Sequence, residues 1–258
     1  MNELLKMYLI VCPLIFLGGF VDSIAGGGGL ITLPAYLMAG VPVHFAAGTN
    51  KVVNGCGTAV ASLKFFRSGK VRLHAALCAA LGALTGGYIG AEIAKGLSDE
   101  RLKGLMLIAL PVVAVFLAVK KDFGQETGET SCSRPVEMAL SLGIGLLIGC
   151  YDGMVGPGTG TFLIMAFTAV LHMDMVTASG CAKVGNLASN IAAAVSFILG
   201  GKVMWALVVP AAACNMLGNY CGARYATRGG GKRIKGMIFV VLGMLFVKML
   251  ADFLAGRG

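Results

Sequence analysis

Two lysines lie inside otherwise apolar stretches, at equivalent positions of two similar segments. Lys51 lies in AAGTNKVVNGCGTAVASLKFFRSGKV, and Lys183 lies in TASGCAKVGNLASNIAAAVSFILGGKV. The same alignment matches Asn54 with Asn186, Phe65 with Phe197, Gly69 with Gly201 and Lys70 with Lys202. A charge at the centre of a bilayer costs at least ~2.5–3.5 kcal/mol, so it needs a partner or a water-filled cavity. No acidic residue is close to either lysine in sequence, and an anionic ligand is a natural partner.

The alternative for each lysine is a position near the membrane surface, from which its ammonium extends to water. The recurrence of the lysine in both segments favours the functional interpretation. Neutral polar residues accompany both lysines at spacings of three and four, which place them on one helix face. They are Asn50, Asn54 and Thr58 beside Lys51, and Asn186, Ser189 and Asn190 beside Lys183. Their donors suit the oxygens of an anion, although hydrogen bonding between helices would also explain them.

A glycine-rich turn precedes each lysine segment, GGGG at 26–29 and GPGTG at 156–160. Free backbone N–H groups at the start of a following helix attract anions, so Gly27, Gly28, Gly158 and Thr159 are further binding candidates. The turns lack the GK[ST] of a phosphate-binding loop and follow no strand, which excludes a nucleotide site of that type. The alternative is a tight turn with close helix packing.

An aspartate precedes each glycine turn, and Asp22 and Asp152 are the acidic pair that the repeat preserves. They could carry a coupling proton. They could equally cap the following helix, since aspartate is a preferred capping residue. Capping or a structural hydrogen bond is the favoured interpretation.

The composition indicates a membrane protein. The chain of 258 residues is 57% hydrophobic and 13% charged, with mean hydropathy +0.84, whereas soluble domains carry about 25% charged residues. Ten apolar segments are predicted, at 7–21, 25–41, 46–66, 73–94, 102–119, 136–151, 157–171, 177–199, 203–223 and 236–254. The segments 25–41 and 157–171 are shorter than the ~20 residues of a spanning helix, which predicts broken or re-entrant helices after the glycine turns.

The repeat divides the chain into two homologous halves, 1–121 and 134–258, joined by a polar linker at 122–133. The fold class is therefore an all-α membrane protein of two halves, each with about five segments. An odd number of segments predicts that the halves are inverted, and a four-plus-four arrangement would remove the inversion. With both termini outside, the inside loops 67–72, 120–134 and 224–235 carry 11 Lys and Arg against 6 outside, which agrees with the positive-inside rule.

The net charge of +9 is therefore interpreted as membrane orientation rather than as nucleic-acid binding. The sequence contains no Cys/His cluster with metal-ligand spacing, so neither a metal site nor a cofactor is expected. Glycines at spacing of four, Gly82, Gly86 and Gly90, are echoed by Gly218 and Gly222. Such small-residue faces allow membrane helices to pack closely.

The motifs GGFVDSIAGGGGLITLP, GTNKVVN and GCYDGMVGPGTGTF together resemble the TauE/SafE family over essentially the whole chain. The resemblance implies movement of a sulfur-containing anion, sulfite or an organosulfonate, across the bacterial inner membrane, usually outward. It also implies that the anion-binding candidates are Asn50, Lys51 and Asn54 with Lys183, Asn186 and Asn190. The second half has Cys181-Ala182 where the first has Thr49-Asn50, so the two half-sites cannot be chemically equal.

The function expected from these observations is a secondary transporter that works by alternating access at a site between the halves. Its expected partners are a small anion, the lipid bilayer and a coupling proton, and a homodimer is possible. Another cargo, such as a carboxylate, is the main alternative. An intramembrane enzyme would need a base beside its nucleophile, and neither lysine has a histidine or carboxylate beside it in sequence. No catalytic residue is assigned. An anchoring protein would leave the paired intramembrane lysines unexplained, and an ion channel would need rings of like charge or a carbonyl filter repeated by oligomerisation, whereas an internal twofold repeat favours a carrier.

Overall fold

The computed structural model describes residues 3–102, 104–105 and 133–254. The predicted segment 102–119 and the linker 122–133 lie almost entirely outside these described residues. Within them the chain forms helices joined by short turns, and no strand is present. The helices of ten or more residues are α1 (Glu3–Ala25), α2 (Gly29–Met38), α3 (Val43–Arg67), α4 (Leu73–Gly96), α5 (Arg134–Met154), α6 (Thr159–Leu171), α7 (Met175–Leu199) and α8 (Trp205–Leu254).

Four of these helices are long and apolar enough to cross a membrane: α4, α5 and α7 over their full lengths, and α1 over Leu4–Ala25. Their outward faces carry large apolar side chains such as Leu9, Leu81, Leu147 and Leu199, which are exposed in the isolated chain. Lipid is the solvent that suits such faces. The chain is therefore a multi-pass membrane protein.

The two short helices predicted after the glycine turns are present as α2 and α6. They contain 10 and 13 residues, or roughly 15 and 20 Å at about 1.5 Å per residue, against a hydrocarbon thickness of about 30 Å. Neither crosses the membrane alone. The breaks before them have positive φ at Gly26, Gly156 and Gly158, a conformation that glycine adopts at little cost.

The last helix differs from the prediction. The segments 203–223 and 236–254 were expected to be separate, but α8 is continuous over 50 residues, so the break predicted between them is wrong. The intervening stretch 224–235 is basic and contains three glycines but no proline, so every residue keeps the N–H that an α-helix requires. The comparison of Lys and Arg numbers on the two sides of the membrane treated 224–235 as an inside loop, which it is not. Inversion of the two halves therefore stays a prediction.

The long helices pack mainly across the boundary between the two halves of the sequence. Helix α4 packs along α5 and against α7, while α8 packs along α1 and against α3, and α3 and α7 also meet. Glycines make these contacts close. A Cβ added at Gly86 would lie 2.1 Å from the carbonyl oxygen of Leu146, and one at Gly218 would lie 2.1 Å from that of Phe16. The predicted packing role of the spaced glycines is confirmed.

Gly86→Ala is expected to lower the stability of the protein by at least about 1–3 kcal/mol, the usual cost of overpacking a close contact. The added methyl group meets backbone of α5 rather than a flexible side chain, so the two helices must separate. Thermal unfolding in detergent measures the effect. Gly143→Ala is the matched control on α5, because a Cβ there has nothing within 4 Å; equal melting temperatures for the two variants would contradict the packing.

Helix α7, which carries Lys183, begins with a side-chain cap. Asp174 Oδ1 accepts hydrogen bonds from the amides of Val176 at 3.1 Å and Thr177 at 3.0 Å. Burial opposes ionisation of Asp174, but hydrogen bonds from Thr177 and Val176 and the nearby Lys70 charge hold its pKa below its usual range. Asp174 is therefore ionised in the folded protein at neutral pH.

Asp174→Ala is expected to cost about 0.5–2 kcal/mol, the usual value of an N-cap. Because the pKa of Asp174 is lowered on folding, its contribution is fully present above the unfolded pKa and is lost as pH falls through the folded pKa. The difference in stability between wild type and Asp174→Ala should therefore shrink on acidification. A difference that stays constant or grows as the pH is lowered would contradict the assignment.

Candidate functional site

The two repeated lysines lie in the interior of the protein. Lys51 on α3 is 4% exposed and Lys183 on α7 is 0% exposed. Neither extends its ammonium to solvent, so the alternative that each lies near the membrane surface does not describe this structure. A buried ammonium requires compensation by an opposite charge and hydrogen bonds.

Each lysine is compensated by the aspartate of the other half. Lys51 Nζ lies 2.8 Å from Asp152 Oδ1, and Lys183 Nζ lies 2.8 Å from Asp22 Oδ2. Lys183 also donates to the backbone carbonyl of Asp22. The sequence showed no acidic residue close to either lysine because the partners are far apart in the chain, 161 residues in the case of Lys183 and Asp22. The anionic partner expected for each lysine is thus already supplied by the protein.

The contacts of the two aspartates distinguish helix capping from a structural hydrogen bond and leave the predicted proton coupling untested. The carboxylate of Asp152 is bonded to side chains, namely Lys51, Thr159 and Ser189. Asp22 receives a backbone N–H from Gly28 only at 3.4 Å, a long and weak contact. The interpretation as a structural hydrogen bond fits both residues, whereas helix capping fits neither.

A small polar cavity lies between the two glycine turns and the two lysine helices. Its lining comes from both halves: Asp22, Gly26, Gly29, Asn50, Lys51 and Asn54, with Asp152, Gly156, Thr159, Gly160, Asn186 and Asn190. Both lysine helices therefore contribute side chains to one site, as the repeat predicts. The formal charges of the two ammonium groups and the two carboxylates at this site sum to zero.

Several predicted residues lie beside the cavity rather than in its wall. Lys183 and Ser189 contact aspartates that line the cavity. Lys183 Nζ contacts Asp22 Oδ2, and Ser189 Oγ donates to Asp152 Oδ2 at 2.6 Å. Thr58 is buried but is not a lining residue. The turn glycines at 27, 28 and 158 also do not line the cavity. The glycines that line it are Gly26, Gly29, Gly156 and Gly160.

The glycines that do line the cavity were not singled out by the sequence. A Cβ at Gly26 would lie 2.1 Å from the carbonyl carbon of Gly160, and a Cβ at Gly156 would lie 3.2 Å from Lys51 Nζ. The two turns therefore touch backbone to backbone, and one of them meets an ammonium directly. The glycine runs in the sequence indicated the turns. Which glycine makes each contact depends on how the two halves meet.

The asparagines divide between the cavity and the helix contacts. Asn190 Nδ2 donates to Asn186 Oδ1 at 2.9 Å along α7, and Asn215 Nδ2 of α8 donates to Asn54 Oδ1 at 3.2 Å. Asn215 was missed by the sequence analysis, as it lies outside the repeated lysine motif. Asn50 is 5% exposed, and its Oδ1 has no partner among the described residues. Rotation of this amide can present either a donor or an acceptor to the cavity.

Comparison with known proteins identifies a family and several relatives. Residues 11–249 match the family described as sulfite exporter TauE/SafE. The probable membrane transporter protein ORF9 of Sinorhizobium is 35% identical over 237 residues, which cover 92% of this chain and 90% of that protein. The probable membrane transporter protein YfcA of Escherichia coli is 32% identical over 236 residues, covering 92% and 87%. A probable membrane transporter protein of Haemophilus influenzae is 31% identical, covering 92% of each chain.

No solved structure matches this chain. The family match covers nearly the whole sequence, including both glycine turns, both lysines and both aspartates. Three relatives that are more than 30% identical over almost their full lengths are described as transporters. The chain belongs to the TauE/SafE family and is a membrane transporter.

Proposed function

We propose that this transporter carries a small sulfur-containing anion, sulfite or an organosulfonate, across the bacterial inner membrane. The observation that carries the proposal is the polar cavity, which places a buried ammonium and four asparagines around one space. Export is the direction implied by the description of the family. The site is formed by residues of both halves, which suits a carrier whose halves move relative to each other.

The chemistry of the lining supports an oxyanion. Lys51 Nζ donates one N–H to Asp152 and has two further N–H donors, because an ammonium group carries three. Asn50 has an unpartnered buried oxygen among the described residues, so its amide is free to rotate toward a ligand. An anion with three oxygens could accept from both residues at once.

Alternating access is the mechanism that we propose for this cavity. The short helices α2 and α6 start at the glycine turns beside the cavity, as discontinuous helices do in carriers with internal repeats. The helices of each half pack against the other half, so a rocking motion would change the contacts on both sides of the cavity together. Inversion of the two halves is part of this proposal.

A small carboxylate is the second candidate cargo, because the same ammonium and amide donors bind carboxylate oxygens. An intramembrane enzyme is disfavoured by the ion pairs. Each lysine contacts a carboxylate at 2.8 Å, and an amine engaged in such an ion pair is not free to act as a nucleophile.

The substrate class is tested by flux into proteoliposomes that contain purified wild-type protein. We expect saturable uptake of labelled sulfite or of a small sulfonate, with accelerated exchange when the same anion is present inside. Saturation and exchange distinguish a carrier from a channel. Uptake of carboxylates without uptake of any sulfur anion would overturn the proposed cargo, and a flux that never saturates would overturn the carrier mechanism.

A further inference from the structure

The two lysine–aspartate pairs are not equivalent, although the repeat suggests that they should be. Asp152 Oδ1 accepts from Lys51 at 2.8 Å and from Thr159 Oγ at 2.7 Å, and its Oδ2 accepts from Ser189 Oγ at 2.6 Å. Asp22 Oδ2 accepts from Lys183 at 2.8 Å, and its Oδ1 has only the long contact to the Gly28 amide at 3.4 Å among the described residues. The hydroxyl of Thr159 also lies 2.7 Å from the carbonyl oxygen of Gly156, so its one proton can go to either acceptor. One carboxylate therefore has three short side-chain contacts and the other has one.

The sequence explains the difference at two positions. When Asp22 is aligned with Asp152, Thr159 falls on Gly29; when Lys51 is aligned with Lys183, Ser189 falls on Gly57. Both hydroxyl donors of the second half are therefore glycines in the first half. The side chains also differ in exposure, which is 3% for Asp152 and 14% for Asp22. Asp22 is both the less restrained and the more accessible carboxylate.

Charge balance makes this asymmetry important for an anion. Two ammonium groups and two carboxylates leave the site neutral, and an entering anion would meet two carboxylates in the lining. Protonation of one carboxylate would leave one lysine without a counter-ion and give the site a net positive charge. Protonation of Asp152 would disturb three bonds, whereas protonation of Asp22 disturbs the single short bond to Lys183.

We propose that Asp22 takes up the proton that accompanies the anion, and that Lys183, once released, becomes the charge that binds it. Asp152 remains ionised and holds Lys51 as a fixed donor in the cavity wall. This inference rests on the proposed transport function. The proton goes to Asp22 Oδ2, the ion pair with Lys183 breaks, and the anion replaces the carboxylate as the partner of the ammonium.

The surroundings contain no competing group within the described lining. The titratable residues that line the cavity are Asp22 from α1, Lys51 from α3 and Asp152 from α5, and Lys183 from α7 contacts Asp22. The helices α2, α6 and α8 present no titratable side chain to this lining. Proton uptake at the site is therefore a choice between the two aspartates.

One proton moving with one monovalent anion is electrically neutral transport in a common direction. An inward proton gradient then favours uptake, and net export requires an outward gradient of the anion that is larger than the proton gradient. The direction of transport follows from the two gradients rather than from the structure of the site.

The test is infrared difference spectroscopy of the purified protein as the pH is lowered. The carbonyl stretch of a protonated carboxylic acid should appear in wild type and be lost in Asp22→Asn. The difference spectrum between wild type and variant removes the contribution of the other carboxylates. Asp152→Asn is the matched control and should keep the band. If Asp152→Asn does not fold, Ser189→Ala with Thr159→Val replaces it, and removal of both hydroxyls should add a second band.

The band must follow Asp22 for the inference to stand. A band that survives in Asp22→Asn, or no band in folded wild type, would overturn it. Flux of sulfite in the same preparations separates this result from the proposed function. Proton uptake at Asp22 without flux of any anion would refute the transport proposal on which the inference rests. Sulfite flux that acidification accelerates in wild type but no longer accelerates in Asp22→Asn supports both.

Discussion

Asp152→Ala is expected to destabilise the protein by about 3–5 kcal/mol, the usual cost of removing one member of a buried ion pair. The variant leaves Lys51 buried at 4% exposure without its counter-ion. It also removes one acceptor of the hydroxyls of Thr159 and Ser189, which keep only the backbone carbonyls of Gly156 and Asn186. Thermal unfolding in detergent, or the yield of monodisperse protein, measures the loss.

The matched control for this prediction is Asp99→Ala. Asp99 also forms an ion pair, with His44, but its side chain is 70% exposed, and exposed pairs contribute about 0–1 kcal/mol. Adding Lys51→Met to Asp152→Ala should recover much of the lost stability, because no buried charge remains unpaired. Equal stability of Asp152→Ala and Asp99→Ala would show that Lys51 does not depend on Asp152.

Lys51→Met combined with Asp152→Asn is expected to fold but to lose transport completely. The pair is neutralised as a unit, so the interior carries no uncompensated charge. The cavity then lacks the ammonium donor next to Gly156, and the anion loses its fixed charged contact. Exchange of labelled sulfite in proteoliposomes should fall to the level of protein-free vesicles.

Lys64→Ala serves as the control for this transport experiment. Lys64 lies on the same helix as Lys51 but contacts the ring of Tyr220 at 5.8 Å and is not part of the cavity lining. The rate of sulfite exchange by Lys64→Ala should equal that of wild type. Wild-type exchange in the Lys51→Met, Asp152→Asn variant would show that the anion does not use this pair.

Much of this architecture could be predicted from one sequence because the chain repeats itself. The recurrence of lysine, asparagine and the aspartate–glycine turn predicted that both halves would contribute to one site, and the glycine spacing predicted helix faces that pack closely. These are local patterns, with periods of three, four and a few more residues. A local pattern identifies the face that a helix buries.

The partners of the lysines could not be predicted, because the pairing is between halves. Lys183 is paired with Asp22, 161 residues away, and nothing in either segment shows which half supplies the counter-ion. The continuity of α8 was missed for a different reason. Polar and glycine residues at 224–235 are typical of a loop, but tertiary context can hold such residues in a helix.

The most direct test of the central claim is the position of a bound anion. Crystals of the wild-type protein soaked with selenite, the selenium analogue of sulfite, would locate the selenium atom by its anomalous scattering. We expect one strong peak in the cavity between the glycine turns, within hydrogen-bond distance of Lys51 Nζ. A peak at another place in the protein with none in this cavity would contradict the account.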